Sequence, residues 1–265
     1  MVVDRVGRRR LFDGVAHDYD FARTRYPDEL FDSLIELSGL VTPGAVLEVG
    51  CGPGLATVPM ARRGQDITAI ELGEHLVQLA RARLAPYPAV RVAHASFDDW
   101  LPRRWGSFEL LFAASAWHWL DPDTKYQRAH RHLRRGGALG FWAATHVAPP
   151  DGDPFFGDLQ AVYDEIGVGR GSNSVLARPG ELPEYRDEIA ATGLFEAPVV
   201  RQFDWTVAYD ADTYIRLLGT FSDHMAMQAW QRSRLFAAIR ERLAERPDGT
   251  VTRHYGAALH VARAL

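Results

Sequence analysis

The sequence predicts an α/β fold: a parallel sheet with helices on both faces and a helical cap over its ligand end. Three observations lead there. Short apolar runs of strand length alternate with helix-length segments from Ala45 to Ala143, the rhythm of parallel strands joined by helices. One of those runs, Leu110-Leu-Phe-Ala-Ala114, is apolar at every position, as a strand buried on both faces requires. After Thr145 the rhythm breaks.

The first 40 residues read as helical. Pro27 suits the first turn of a helix running through Leu30, Leu34, Ile35 and Leu37, and Gly39 ends it. Strands follow at 45–49, 67–70, 90–92, 110–114 and 138–143, with helices at 55–63, 74–84 and 123–133 between them. Arg134 and Arg135 suit the negative end of the last of these helices, and Gly136-Gly137 stop it. Residues 148–182, with Pro149-Pro150, Pro154 and several glycines, read as an insertion rather than a core element. A helix is expected at 184–191, a strand at 199–207, strong helix over 210–245 and a last strand at 250–262. The whole chain, 1–265, is expected to be one domain, with its cap drawn from about 1–40, 148–182 and 210–245.

Composition narrows the function. Of 265 residues, 47% are hydrophobic and 24% charged, which excludes disorder for most of the chain. A net charge of −4 lacks the basic footprint of a general nucleic-acid binder. The arginines at 8–10, 103–104 and 134–135 read as solvated surface charge. A single cysteine, Cys51, excludes an internal disulfide or a cysteine-cluster zinc site. The most apolar run, residues 110–120, carries Ser115 and His118 and is 11 residues long, against about 20 for a membrane span. No secretory leader is read at the start. A soluble, cytoplasmic protein is expected, with no membrane or nucleic-acid partner.

The sharpest local signal is Glu48-Val-Gly50-Cys-Gly52-Pro-Gly54, where the first strand turns into a helix through three glycines. Glycines allow tight turns and close ligand approach, and helix N-terminal amides favour an anionic group. The third glycine falls one position earlier than in a dinucleotide loop, and Leu55 stands where that loop wants Gly or Ala. Glu71, 17 residues past Gly54, ends the second strand, where a carboxylate can accept both hydroxyls of a ribose.

These segments resemble the class I S-adenosylmethionine-dependent methyltransferases. The resemblance continues through Ala95-Ser96-Phe97-Asp98-Asp99-Trp100, through Leu133-Arg-Arg-Gly136-Gly137, and through Tyr19-Asp-Phe-Ala-Arg23-Thr-Arg-Tyr26-Pro27. Phe108 to Pro122, with Trp117-His118-Trp119, is similar to the fourth-strand motif of a methyltransferase type 11 branch containing trans-aconitate methyltransferase-like enzymes. The resemblance implies a Rossmann-like, seven-stranded, mostly parallel sheet whose last strand is antiparallel. It implies S-adenosylmethionine as cofactor and methyl transfer to a small-molecule acceptor. Gly50, Gly52 and Gly54 would then line the methionine part, with Glu48 holding the loop. Glu71 and Leu72 would sit at the ribose, Ser96 and Phe97 at the adenine, and Ala114 at the end of the fourth strand. Tyr19 and Arg23 would close over the carboxylate end, a fixed charge suiting Arg23 to that task. Ser96 stands where many members carry an acid.

Methyl transfer from a sulfonium is an in-line displacement, so holding the acceptor in place is the protein's main task. A base is needed only where the acceptor starts protonated. His118, just past the fourth strand, is the candidate base and equally a candidate wall residue. Trp117, His146, Tyr214 and Ser222 are further candidates for the acceptor pocket, with Phe221, His224 and Met225 at helical spacing beside them. At least one of Trp117 and Trp119 is expected to pack against the following helix. His130 and His132, two apart on a helix, do not make a metal pair, and no metal is expected. Two other readings remain: a nicotinamide-dependent oxidoreductase, which the early third glycine opposes, and a non-catalytic cofactor-binding protein that kept the fold.

Overall fold

The structure, a computed structural model, describes residues 12–102, 104–169 and 176–265. Arg8, Arg9, Arg10 and Arg103, read as surface charge, lie outside the described residues. The sheet contains β1 (Ala45–Val49), β2 (Asp66–Glu71), β3 (Val90–His94), β4 (Phe108–Ala114), β5 (Leu133–Trp142), β6 (Thr145–His146), β7 (Val199–Asp210) and β8 (Thr250–Arg263). Its order is β3-β2-β1-β4-β5-β8, with β7 on the far edge of β8. β1 to β5 are parallel, and β8 runs antiparallel to β5, β6 and β7. β6 continues β5 along one edge of β8 in the same register: Phe141 faces His260 and Thr145 faces Gly256. The eight strands are therefore the expected seven-stranded, mostly parallel sheet with its fifth strand broken at Ala143-Ala144.

Ten helices are described: α1 (Ala16–Ala22), α2 (Asp28–Ser38), α3 (Thr57–Arg62), α4 (Glu74–Leu84), α5 (Lys125–His132), α6 (Phe155–Glu165), α7 (Arg186–Ala190), α8 (Ala211–Leu218), α9 (Ser222–Met225) and α10 (Ala229–Ala244). Strand alternation divides the core. Val46, Leu110 and Ala138 point to one face, where they meet Leu30, Phe31 and Leu34 of α2 and Met60 of α3. Leu47, Leu111 and Leu139 point to the other, against Tyr126 and Ala129 of α5 and Ile189 of α7. A third cluster gathers Ala22 of α1, Leu159 of α6, Tyr214 and Leu218 of α8, and Leu235 and Ile239 of α10 against Tyr209, Val251 and Tyr255. Burying each large apolar side chain stabilises by about 1.5–3 kcal/mol. Among the described residues, no helix is long and apolar enough to cross a membrane.

Three local expectations change. The helix expected over 123–133 ends at His132, and Arg134 to Gly137 belong to β5. Parallel pairing begins at Leu133 opposite Phe108, and the register shift before Leu110 absorbs the glycines. Within 148–182, α6 buries Phe155, Leu159 and Val162, each 2% exposed or less. The segment thus contributes to the third apolar cluster, its helical period hidden by the surrounding prolines and glycines. Residues 28–38, assigned above to the cap, lie on the sheet because the apolar face of α2 matches that of the strands.

Candidate active site

The site grows from the turn after β1. Gly50, Gly52 and Gly54 have φ of +69°, +54° and +88°, the left-handed region that side chains resist. A Cβ on Gly50 would also lie 2.6 Å from that of Ala116. The Gly50 and Cys51 amides donate to the Ile70 carbonyl at 2.8 and 3.1 Å, sewing the loop to the end of β2. One residue on, the Glu71 carboxylate gathers three backbone amides, each at 2.8 Å: Oε2 accepts from Gly52, and Oε1 from Leu72 and Gly73. Burial raises the Glu71 pKa against the pull of these donors.

A cavity of about 480 Å³ opens beyond the C-terminal ends of β1, β2 and β4, within the ~300–1,000 Å³ usual for small-ligand sites. Tyr19, Arg23, Gly50, Gly52, Glu71, Leu72, Ser96, Phe97 and Ala114 all line it, as do His118 and Ser222. Glu48 and Gly54 do not. Glu48 is buried under the loop, and burial pushes its carboxyl up to about 8, the Glu71 charge adding and Thr57 opposing. Gly54 turns away toward Leu84. Two expected acceptor residues lie in the core instead. Trp117 stacks on Phe141, with ring centroids 5.1 Å apart, and meets Tyr126 of α5 edge-on. Tyr214, 2% exposed, has its hydroxyl 3.2 Å from Nη1 of Arg253. Both rings sit on the inward face of their elements, where apolar packing claims them. Trp119 does line the cavity, its ring 5.4 Å from that of Phe12. His146 lines a side chamber of about 80 Å³ that shares Tyr19, Arg23, Ser115, Ala144 and Phe221 with the main cavity.

The sequence reading missed Phe12, Ser115 and Asp223 as lining residues. Phe12 comes into place because Asp13 is pinned to the start of α4: its Oδ1 accepts from the Leu76 amide at 3.1 Å and its Oδ2 lies 2.8 Å from His75 Nδ1. Gly73 at that N-cap has no side chain to do so. Ser115 has φ +54°. Its Oγ accepts from the Ala144 amide at 3.2 Å and lies 2.9 Å from the Tyr26 hydroxyl, which holds the break in the fifth strand. No sequence motif announces that strain. Asp223 is held down to about 2 by its hydrogen bond to His224.

Two further groups set the chemistry of the cavity wall. The Arg23 guanidinium sits between the rings of Tyr19 and Phe221, 4.7 and 4.4 Å from their centroids. It donates to the Thr220 hydroxyl at 2.9 Å and the Thr220 carbonyl at 2.7 Å. His118 opens onto the cavity, yet the protein around it and the charges of Arg23 and Lys125 hold its imidazole down to about 4. Among the described residues no group of three or more His, Cys, Asp or Glu is placed to hold a metal ion.

Comparison with known proteins agrees with this geometry. Residues 46–137 match the family described as "Methyltransferase domain". An uncharacterized methyltransferase of Mycobacterium tuberculosis is 25% identical over 89% of this chain and 86% of its own. Trans-aconitate 2-methyltransferase of Deinococcus radiodurans is 33% identical over 56% of this chain and 58% of its own. Phosphoethanolamine N-methyltransferase 2 of Haemonchus contortus, solved with S-adenosylhomocysteine, shares the fold with a TM-score of 0.56 at 14% identity, over 98% of this chain and 59% of that one. With its glycine turn, its acid at the end of β2 and its sheet order, the chain carries a methyltransferase domain over residues 46–137 and resembles the class I S-adenosylmethionine-dependent methyltransferases.

Proposed function

We propose that the chain transfers a methyl group from S-adenosylmethionine to a small-molecule acceptor within the cavity described above, and that it works in the cytoplasm as one methyltransferase domain under a helical cap. The observation that carries the reading is the convergence of Gly50, Gly52, Glu71, Ser96 and Phe97, from three successive strand ends, on one cavity. The residues present fit the cofactor: Gly50 and Gly52, both at positive φ, line the cavity without side chains, and Glu71 has acceptor capacity left on Oε2, which takes only one backbone amide. Glu71 and Leu72 would face the ribose, and Ser96 and Phe97 the adenine. Gly50 and Gly52 would face the methionine part, with Tyr19 and Arg23 at its carboxylate. Glu48 and Gly54 would act from behind, setting the shape of the loop. When bound, the cofactor supplies an activated methyl group.

The chain's own contribution is to place and enclose. Phe12 and Trp119 close one side, and Ser115 fixes the strand break that gives the acceptor room. We read His118 as a wall rather than a base. Its imidazole, held near 4, has little affinity for a proton at neutral pH, whereas an effective base is tuned near the working pH. Relatives named for trans-aconitate and magnesium-protoporphyrin support a small acceptor. Titration calorimetry with S-adenosylmethionine and S-adenosylhomocysteine on the pure, folded protein tests the reading. Micromolar or tighter binding of both is expected, and binding of neither overturns it.

A further inference from the structure

The side chamber carries more positive charge than the cofactor accounts for. It is lined by Arg23 and Arg253 and by no Asp or Glu. Neither arginine has a carboxylate within ion-pair distance among the described residues. Arg253, on β8, is 7% exposed. It donates to Tyr214 through Nη1, while its Nε is buried without any partner. The rings of Phe221 and Tyr255, each 5.4 Å from its guanidinium carbon, offset only part of the desolvation cost. A buried guanidinium without an anion costs several kcal/mol.

We infer that this chamber binds an anionic group of the acceptor, a carboxylate, and that Arg253 is its specificity-determining residue. The inference rests on the reading of the main cavity given above. Arg23 lines both chambers, so one positive charge answers the cofactor's own carboxylate. Arg253 lines the side chamber alone and is the charge left over. A chamber of about 80 Å³ has room for a carboxylate. Arg253 lines the chamber with a guanidinium, the planar group suited to taking a carboxylate with parallel hydrogen bonds. The carboxylate held there anchors the acceptor, and the atom to be methylated lies toward the main cavity through the shared opening.

The test uses the full chain loaded with S-adenosylhomocysteine, whose own affinity is measured first. Malonate, succinate and benzoate are titrated by calorimetry beside their amides, neutral and of like shape, with inorganic phosphate as a second anion. At least one carboxylate is expected to bind tenfold or more tightly than its amide, and more tightly than phosphate. In Arg253→Met that preference falls to under threefold while S-adenosylhomocysteine binds as before. Equal binding of acids and amides overturns the inference, as does a preference that survives in Arg253→Met or one for phosphate over every carboxylate. A tenfold loss of S-adenosylhomocysteine affinity in Arg253→Met also overturns it, by assigning the arginine to the cofactor. Should Arg253→Met not fold, the wild-type comparison of acid with amide, together with Arg253→Lys, decides: the inference requires the acid preference in the wild type and a weaker one in the lysine variant. Failure of wild-type protein to bind S-adenosylhomocysteine is a separate result, against the cofactor reading.

Discussion

Glu71→Ala removes one carboxylate that three backbone amides share at 2.8 Å each. Taken alone, hydrogen bonds to a charged group contribute about 1.5–3 kcal/mol apiece, so the gross loss is large. Two effects reduce it. Burial already raises the Glu71 pKa, so the folded protein carries a desolvated charge that the variant no longer holds. The Gly52 amide also lines the cavity, where water can replace the lost acceptor. A net stability loss of about 1–3 kcal/mol is expected, which lowers Tm by about 3–10 °C for a chain of this size. Cofactor affinity should fall by a similar free energy, about 5–150-fold in Kd. Scanning fluorimetry without ligand reads the first and calorimetry with S-adenosylhomocysteine the second. Glu71→Gln separates the two. Its amide oxygen still accepts from Leu72 and Gly73, but its NH2 faces the Gly52 N–H, so Tm is largely kept while affinity is lost. A Glu71→Ala protein that binds with the wild-type Kd would refute the argument, because the ribose would then sit elsewhere.

Gly50→Ala combines left-handed strain at φ +69° with a methyl 2.6 Å from that of Ala116, and urea unfolding should show a loss of about 2–5 kcal/mol. Gly136→Ala, at φ +72° with nothing within 4 Å, carries the strain alone and should lose about 1 kcal/mol; equal losses would mean that the contact with Ala116 is not felt. His118→Phe should raise KM and leave kcat within tenfold, since a neutral wall residue is replaced by another ring; a kcat loss of 10²-fold or more, recovered at high pH, would restore His118 as a base. His132 is fully buried among Phe97, Trp100, Trp105 and Phe108, neither ring nitrogen has a partner, and burial, with the charges of Arg128 and Arg131, holds it down to about 4. Unfolded histidine titrates near 6.5, so its neutral burial costs nothing above that pH, and stability is lost as the pH falls from 6.5 toward 4. At pH 5 the loss is about 2 kcal/mol. Glu48, raised to about 8, gives the opposite slope, so the measurement is the difference between wild type and His132→Leu in urea midpoints from pH 7.5 to 5; a difference that does not change with pH would refute it.

The elements that could be read directly were those set by local chemistry. β1 begins and ends where its apolar run does, and α4 spans 74–84 as its period and flanking Gly73 require. The boundary between α5 and β5 could not be read that way. Arg134-Arg135-Gly136-Gly137 carries every local mark of a helix end, and a glycine pair marks a bulge equally well. Which it is depends on Phe108, 25 residues earlier, against which Leu133 pairs. The helix at 155–165 failed for a related reason. Its stripe of Phe155, Leu159 and Val162 is regular, but it has a partner only once α8 and α10 arrive from residues 211–244.

The same division runs through the site. The cofactor side is a short-range object: Glu48 to Glu71 is one strand, one turn, one helix and one strand, so spacing alone carries it. The acceptor side is assembled from distant chain. Arg23 is held by Thr220, 197 positions away, and Arg253 reaches the same chamber only because β8 folds back antiparallel beside β5 and β6. In the sequence Arg253 is one charged residue in the strand expected at 250–262, two positions from Val251 and from Tyr255 and so on the same face as both. The fold encloses it by laying Phe221 and Tyr255 beside its guanidinium. A charge that tertiary structure takes out of water is stabilised by an opposite charge. The described chain offers Arg253 no carboxylate, so the inference drawn above assigns that charge to the acceptor, from a part of the molecule whose contacts the sequence alone leaves blank.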